Sequence, residues 1–187
     1  AAMPLFKRAY EIRSRSLAIT ANSRTKRDVA IAGSAYAVCL LSLSPPDDET
    51  AEPVLSQAFD LLSQLACSDP NDHRIKSDLV RSASDLALLH LTKNDSDAAV
   101  QWLNKAIDQG HDDDQASSGK DPVLAQELMR AHEQRGDIRR VLKDLSGARA
   151  DYEQALKYAA QLGPELEGVA DIQARLHKSI AELKTDR

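Results

Sequence analysis

Histidine is the side chain best suited to proton transfer and metal binding near neutral pH, and the chain has five. They stand at positions His73, His90, His111, His132 and His177. No two of them form a His-Glu-x-x-His motif, the spacing that places two metal ligands on one helix face. His90 and His132 fall on predicted helices, where we expect surface or half-buried positions. The histidines therefore indicate neither a catalytic base nor a metal centre.

Acidic and glycine-containing segments could bind cations or phosphates. Asp47-Asp48-Glu49 and His111-Asp112-Asp113-Asp114 offer oxygen ligands, but the second cluster lacks the glycine and the distal glutamate of a calcium loop. We interpret both as solvated loops. Gly119-Lys120 is not preceded by a phosphate-cradling glycine loop, so no nucleotide site is predicted. We therefore expect no enzyme activity, no cofactor and no metal.

Three further features are better explained by packing than by chemistry. Cys39 and Cys67 lie among apolar helical residues and are expected to be small buried hydrophobes, because two unclustered thiols make no metal or redox motif. Trp102 is expected to pack between neighbouring helices. Arg135-Gly136-Asp137 matches an adhesion tripeptide, yet Gly136 is expected to be the small residue at a helix crossing, where a helical tripeptide could not reach a receptor.

The composition favours an all-helical protein. Hydrophobic residues make up 42% of 187 residues and aromatic residues only 4%, a mixture that suits close helix packing and is poor in strand formers. The net charge of −5, with both signs interspersed, disfavours nucleic-acid binding. No apolar run reaches about 18 residues, so no membrane span is expected. The start, Ala1-Ala2-Met3-Pro4, lacks the apolar core of a signal peptide, and we expect a cytoplasmic location.

Turn-forming residues divide the chain into eight predicted helices. A Pro/Asp loop is expected around 44–53, and a polar Ser/Gly/Asp-rich loop from Gly110 to Asp121. The helices are predicted near 4–20, 25–43, 51–67, 73–92, 96–109, 122–142, 146–161 and 164–184. Short connections between them indicate antiparallel neighbours.

Small residues recur at a fixed spacing in successive helix pairs. One set is Gly136, Ala148, Tyr152 and Ala155; a second is Ala87, Ala99, Leu103 and Ala106; an interrupted third is Gly33, Tyr36, Ala58, Leu62 and Leu65. Small residues mark the point where two helix axes approach, and the larger residue fills the gap beside them. This pattern resembles the tetratricopeptide repeat (TPR) family.

The resemblance implies an all-α fold: a right-handed superhelix of antiparallel helix pairs, with about three repeats and a capping helix. The repeats are placed at 26–70, 80–113 and 129–162, within one domain spanning 1–187. A possible half repeat at 1–22 precedes them, and a capping helix at 164–184 closes the array. The cap's apolar stripe is formed by Leu166, Val169, Ile172, Leu176, Ile180 and Leu183.

The resemblance also implies a protein–protein interaction module that binds a peptide or partner helix in a concave groove. The first helices of the repeats would line that groove with Arg27, Ala30, Ile31, Ser34, Arg81, Ser84, Asp85, Leu88, Arg130, Glu133, Gln134 and Asp137. An arginine stands at the same place in each copy, either as a ladder that meets an acidic partner or as three solvated side chains. The Lys and Asn set with which some relatives grip a C-terminal carboxylate is missing. The alternatives are a regulatory helical domain of a larger multidomain protein and a self-associating domain.

Overall fold

The computed structural model describes residues 2–110, 121–163 and 168–183, which form eight helices and no strand. The helices are α1 (Met3–Ile19), α2 (Ser23–Leu41), α3 (Asp48–Ser68), α4 (His73–Thr92), α5 (Ser96–Gly110), α6 (Pro122–Val141), α7 (Leu145–Gln161) and α8 (Val169–Glu182). The predicted all-helical class is confirmed, and each helix lies where the sequence pattern placed it. The handedness of the superhelix stays a prediction.

Side-chain caps fix the start of most helices. An Asn or Asp oxygen accepts a hydrogen bond from a backbone N–H of the first turn at Asn22, Asp47, Asp72, Asp95, Asp121 and Asp144. Each cap satisfies a donor that has no partner within the helix, and contributes about 1 kcal/mol. The turn residues seen in the sequence therefore act as helix starts.

One predicted loop is shorter than expected. The sequence placed a Pro/Asp loop at 44–53, but α3 begins at Asp48, so only 42–47 connect it to α2. The Asp47 side chain accepts a hydrogen bond from the Thr50 N–H at 3.0 Å. The negative charges of Asp48 and Glu49 in the first turn interact favourably with the positive end of the helix dipole. These contributions carry the helix through Pro53, which removes a single backbone donor near its start.

The first helices of the three pairs form one layer. Consecutive helices pack on each other from α1 to α8, apart from the segments outside the described residues. In addition, α2 contacts α4 and α4 contacts α6. Residues on α2, α4 and α6 can therefore share a surface, as the resemblance implied.

Two apolar cores are enclosed by the helices. The larger core draws on α2 to α6 and the smaller on α6, α7 and α8, and Tyr158 packs against both. The small residues of the repeat pattern are buried at helix crossings: a Cβ on Gly136 would lie 2.7 Å from Cε1 of Tyr152. The interpretation of Gly136 as a packing residue is thus confirmed.

A buried carboxylate joins α6 to α7. Asp151 accepts hydrogen bonds from Arg135 Nη2 at 2.6 Å and Arg139 Nη1 at 2.8 Å, and its Oδ1 lies 3.2 Å from His132 Nδ1. Arg135 also donates to Asn104 Oδ1 on α5 at 2.6 Å. Burial raises the pKa of Asp151, but the hydrogen bonds from His132 and Arg135 and the arginine charges outweigh it, so the pKa lies below its ordinary value. We refer to this group as the Asp151 network.

Some burial predictions are wrong. Both cysteines were expected to be buried, but Cys39 is half-buried and Cys67 is exposed. Cys67 follows the inward-facing Leu65 by two positions, which turns it to the opposite side of α3. His132 was expected at or near the surface but is buried, since it packs against Tyr158 beside Asp151. Trp102 packs edge-on against Phe59 with ring centroids 5.1 Å apart, as expected.

The terminal helices differ in how they are held. Helix α8 buries Val169, Leu176 and the following Leu183 against the smaller core, in agreement with the predicted stripe; Leu166 lies outside the described residues. Helix α1 buries no residue completely. It is attached through Tyr10, which stacks on Tyr36 at 6.0 Å and donates to Gln57 at 2.7 Å.

Candidate functional site

Five charged residues form a line across α2, α4 and α6. Asp78, buried on α4, accepts from Arg27 Nε at 2.5 Å and from the guanidinium of Arg81. Glu127, buried on α6, lies 3.8 Å from both Arg81 Nη1 and Arg130 Nη1. The order is Arg27–Asp78–Arg81–Glu127–Arg130, and we call it the arginine–carboxylate chain.

The arginine–carboxylate chain contains the three arginines that the sequence placed at equivalent repeat positions. Their side chains are 37%, 43% and 54% exposed, whereas Asp78 and Glu127 are 5% and 9% exposed. Sequence reasoning missed the two carboxylates that hold them. Each carboxylate precedes an arginine by three positions, a spacing that brings two side chains together on one helix. That spacing was the available signal.

An apolar cleft opens beside this chain, between α1, α2 and α4. Its volume is about 400 Å³. The apolar part of its wall includes Phe6, Ile31, Val38 and Cys39. The polar part includes Ser34, Asp78, Arg81 and Asp85. We call it the α1–α4 cleft; a few polar groups on a mostly apolar wall are typical of binding sites.

The remaining predicted groove residues lie in other places. Arg130, Glu133, Gln134 and Asp137 line a polar cavity of about 460 Å³ between α6 and α8. Two of these are engaged internally: Glu133 accepts from Arg175 at 2.8 and 3.0 Å, and Asp137 accepts from the Tyr152 hydroxyl at 2.7 Å.

Two predicted residues on α4 do not line the α1–α4 cleft. The Ser84 hydroxyl donates to the Val80 carbonyl at 3.1 Å, and Leu88 packs against the larger core. The structure therefore divides the predicted groove into a mainly apolar cleft at one end and a polar cavity at the other.

Asp85 is the most perturbed carboxyl group in the cleft. Burial raises its pKa to about 7, although the Arg81 charge and a hydrogen bond from Ser34 act in the opposite direction. Burial also raises the pKa of Glu127, against the charges of Arg81 and Arg130. Near neutral pH, Asp85 is thus divided between its neutral and charged forms.

Replacing Asp85 with Asn is expected to remove part of the pH dependence of stability. The folded-state pKa of Asp85 lies above its ordinary value of 3.8, so the folded chain keeps a proton that the unfolded chain releases. Stability therefore falls as pH rises from about 4 to about 7, by on the order of 2 to 4 kcal/mol for this group. Urea unfolding across this range should show a shallower fall for Asp85→Asn.

The matched control is Asp60→Asn, which removes an exposed carboxylate from α3. Its unfolding free energy should follow that of the unaltered chain at every pH. Glu127 keeps its raised pKa in both variants, so a residual slope of the same sign will remain. Parallel profiles for Asp85→Asn and the unaltered chain would contradict the assignment.

Other kinds of site were sought in the described part of the chain. Within it, no three His, Cys, Asp or Glu residues are placed to hold a metal ion. The acidic run His111-Asp112-Asp113-Asp114 lies outside the described residues. Among the helices that the structure describes, none combines the length and apolar character needed to cross a bilayer.

Comparisons with known proteins bear on the repeat assignment. Residues 80–109 match the family model described as Tetratricopeptide repeat, which agrees with the second of the three copies seen in the sequence. No curated protein is significantly similar in sequence. The crystal structure of BtubC (BKLC) from P. vanneervenii resembles the chain with 11% identity and a TM-score of 0.43, over 97% of this chain and 84% of that one. That likeness carries no argument about function.

Proposed function

We propose that this chain is a protein-interaction module that binds a peptide or a partner helix on the face formed by α2, α4 and α6. The repeats at 26–70, 80–113 and 129–162 would present this face as the concave side of the array. Recognition would need no covalent step, because the surface is already shaped by packed helices. The family match at 80–109 supports an interaction scaffold in general terms.

The observation that carries the proposal is the α1–α4 cleft. Apolar side chains form most of its wall, and Ile31 is 39% exposed. An exposed β-branched residue at the mouth of a cleft costs solvation free energy that a partner's apolar side chain would recover, at about 25 cal/mol per Å². Asp85 and Arg81 stand beside it to orient polar groups of the partner.

The arginine–carboxylate chain gives this surface its charge preference. Three guanidinium groups are shared between two carboxylates, a formal excess of one positive charge, which the neighbouring Asp85 offsets in part when it is ionised. Buried carboxylates also hold the arginines in place, which lowers the entropy lost on binding. We expect the partner to carry a carboxylate next to its apolar anchor.

Ile31→Lys is expected to weaken peptide binding while leaving the fold intact. Peptides selected from a displayed library against the unaltered chain should bind it in solution, and the variant should raise their Kd by at least about tenfold, because a charge is placed at the cleft mouth. Fluorescence anisotropy measures the Kd values. The arginines are less suitable for this test, because removing any one of them takes a cationic partner from the buried Asp78 or Glu127 and would alter stability as well as binding.

The matched control is Val141→Lys, a similar change at a residue that is 72% exposed at the end of α6. It should bind the selected peptides like the unaltered chain. Circular dichroism should show the same melting temperature for all three proteins. The proposal fails if no peptide is enriched, or if the enriched peptides bind Ile31→Lys as tightly as the unaltered chain.

A further inference from the structure

Helix α1 exposes an apolar stripe on the side away from the rest of the protein. Leu5, Ile12 and Ile19 are 72%, 54% and 85% exposed. They follow each other at seven-residue intervals, so they lie within about 40° on the helix surface. Tyr10 and Met3, which pack against the larger core, lie roughly half a turn away. The stripe is therefore a second face of α1 and not an extension of the core contact.

Basic side chains accompany this stripe. Arg8 and Arg15 each follow an apolar stripe residue by three positions, so arginine and apolar residues alternate along one line of the helix. We call this line of stripe residues and arginines the seam. Helix α1 carries Lys7, Arg8, Arg13 and Arg15 against the single acidic residue Glu11, although the whole chain has a net charge of −5. Arg13 pairs with Asp28 at 3.1 Å, whereas Arg8 and Arg15 form no ion pair with any described residue.

The shape of the seam favours another helix as its occupant. Apolar residues every seven positions form a narrow line, and the small residues Ala9 and Ser16 occupy the alternate positions of the 3.5-residue repeat by which two helices pack side by side. Ala9 and Ser16 border the line on the side away from Arg8 and Arg15, and their small side chains allow a close approach. A lipid surface would be matched by a broader apolar face.

The charge of the seam decides the chemistry of that helix. A second copy of α1 would set Arg8 and Arg15 against their equivalents, and like charges at this distance are destabilising. A helix with Asp or Glu beside its apolar residues would pair with both arginines. We infer that the outer face of α1 docks an amphipathic helix that carries apolar residues at seven-residue spacing flanked by carboxylates.

A designed peptide tests this inference directly. The probe is a stapled helix of about 18 residues with leucine every seventh position and glutamate beside each leucine, and its counterpart carries lysine in place of glutamate. We expect the glutamate peptide to bind the unaltered chain at least about tenfold more tightly than the lysine peptide, with an affinity that falls as salt rises. Fluorescence anisotropy at two salt concentrations gives both values.

Variants of α1 make the test specific. Ile12→Lys should weaken binding of the glutamate peptide by at least about tenfold, and the double variant Arg8→Glu/Arg15→Glu should reverse the preference in favour of the lysine peptide. Ile31→Lys should not change binding of the glutamate peptide, because the α1–α4 cleft is a separate surface. A failure of helix docking on α1 can therefore be told apart from a failure of peptide binding in the cleft. The altered residues are exposed, so melting temperatures should change little; in the double variant the new glutamates lie three and four positions from Glu11, and like charges at that spacing on a helix surface are only weakly destabilising.

Three results would overturn the inference. The first is equal binding of the two peptides, or the absence of binding. The second is a dimer in sedimentation that Ile12→Lys dissociates, which would assign the seam to a second copy of the chain. The third is binding of the chain to phosphatidylserine vesicles that the glutamate peptide does not displace.

Discussion

Asp151→Asn is expected to lower the free energy of unfolding by about 3 kcal/mol, a large share of the 5 to 15 kcal/mol typical of a domain. The reason is the Asp151 network: Asp151 is 2% exposed and holds Arg135 and Arg139, whose side chains are 14% and 25% exposed. Without the carboxylate charge, two largely desolvated guanidinium groups lose the anion that compensates both of them, although Arg135 keeps its bond to Asn104 and Arg139 its contact with Asp144 at 3.7 Å. Urea unfolding followed by circular dichroism measures the change.

The pH dependence of the same variant provides a second measurement. Because the folded-state pKa of Asp151 is depressed, its stabilisation is present above the unfolded value of 3.8 and is lost as pH falls through the lower folded value. The unaltered chain should therefore lose stability in acid more steeply than Asp151→Asn. Above that window the difference between the two should be constant.

Glu153→Gln is the matched control on the same helix. Glu153 pairs with Arg149 at 2.8 Å, but both side chains are about half exposed. An exposed pair of this kind contributes about 0.3 to 0.5 kcal/mol. If Glu153→Gln destabilised the chain as much as Asp151→Asn, burial could not be the cause of the effect.

Gly136→Ala is expected to destabilise the chain by about 1 to 2 kcal/mol, against the usual preference of helices for alanine. Alanine gains up to about 1 kcal/mol in helix propensity, but overpacking a dense core costs about 1 to 3 kcal/mol. Here the added Cβ would stand 2.7 Å from Tyr152 Cε1. Tyr152 is fully buried and its hydroxyl donates to Asp137 at 2.7 Å, so the ring has little freedom to move.

Gly33→Ala is the comparison for this prediction. Gly33 occupies the equivalent place in the first copy, but its Cβ would meet Val54 Cγ1 at 3.2 Å and Tyr10 at 3.3 Å. These contacts are relieved by small shifts, so we expect a change close to zero. In addition, Gly136→Ala combined with Tyr152→Leu should cost less than the sum of the single changes, because a smaller side chain makes room for the methyl group. Strict additivity would rule out the contact as the cause.

The sequence predicted the helices well because their evidence is local. Apolar periodicity and cap residues such as Asp72 and Asp144 lie within a few positions of the elements they define. The start of α3 was placed three residues late, and Asp47-Asp48-Glu49 was wrongly interpreted as a loop, because acidic residues after two prolines look alike in a loop and in a capped first helical turn. Gly136 was identified correctly, since spacing alone shows that a small residue recurs at the crossing.

The site was predicted less completely because burial of a polar side chain depends on distant neighbours. Asp78 is buried by Arg27, which lies on another helix, and Asp151 by arginines of α6. Spacing placed Ile31, Arg81 and Asp85 on one face, and they do line one cleft. It could not indicate how far that cleft extends along α4, so Leu88 was included although it is half-buried against the larger core and does not line the cleft.

The position of α6 between the two cores determines how the array comes apart. Opening α8 exposes only the smaller core, and α1 contributes no fully buried residue of its own, although detaching it uncovers Tyr36 of α2. Each end therefore opens with the loss of fewer buried side chains than α6, which contributes the most of the three. Opening α6 exposes apolar residues of both cores and breaks the Asp151 network at the same time. Amide hydrogens of α6 should therefore exchange with solvent among the slowest in the chain, because their exposure requires both cores to open together.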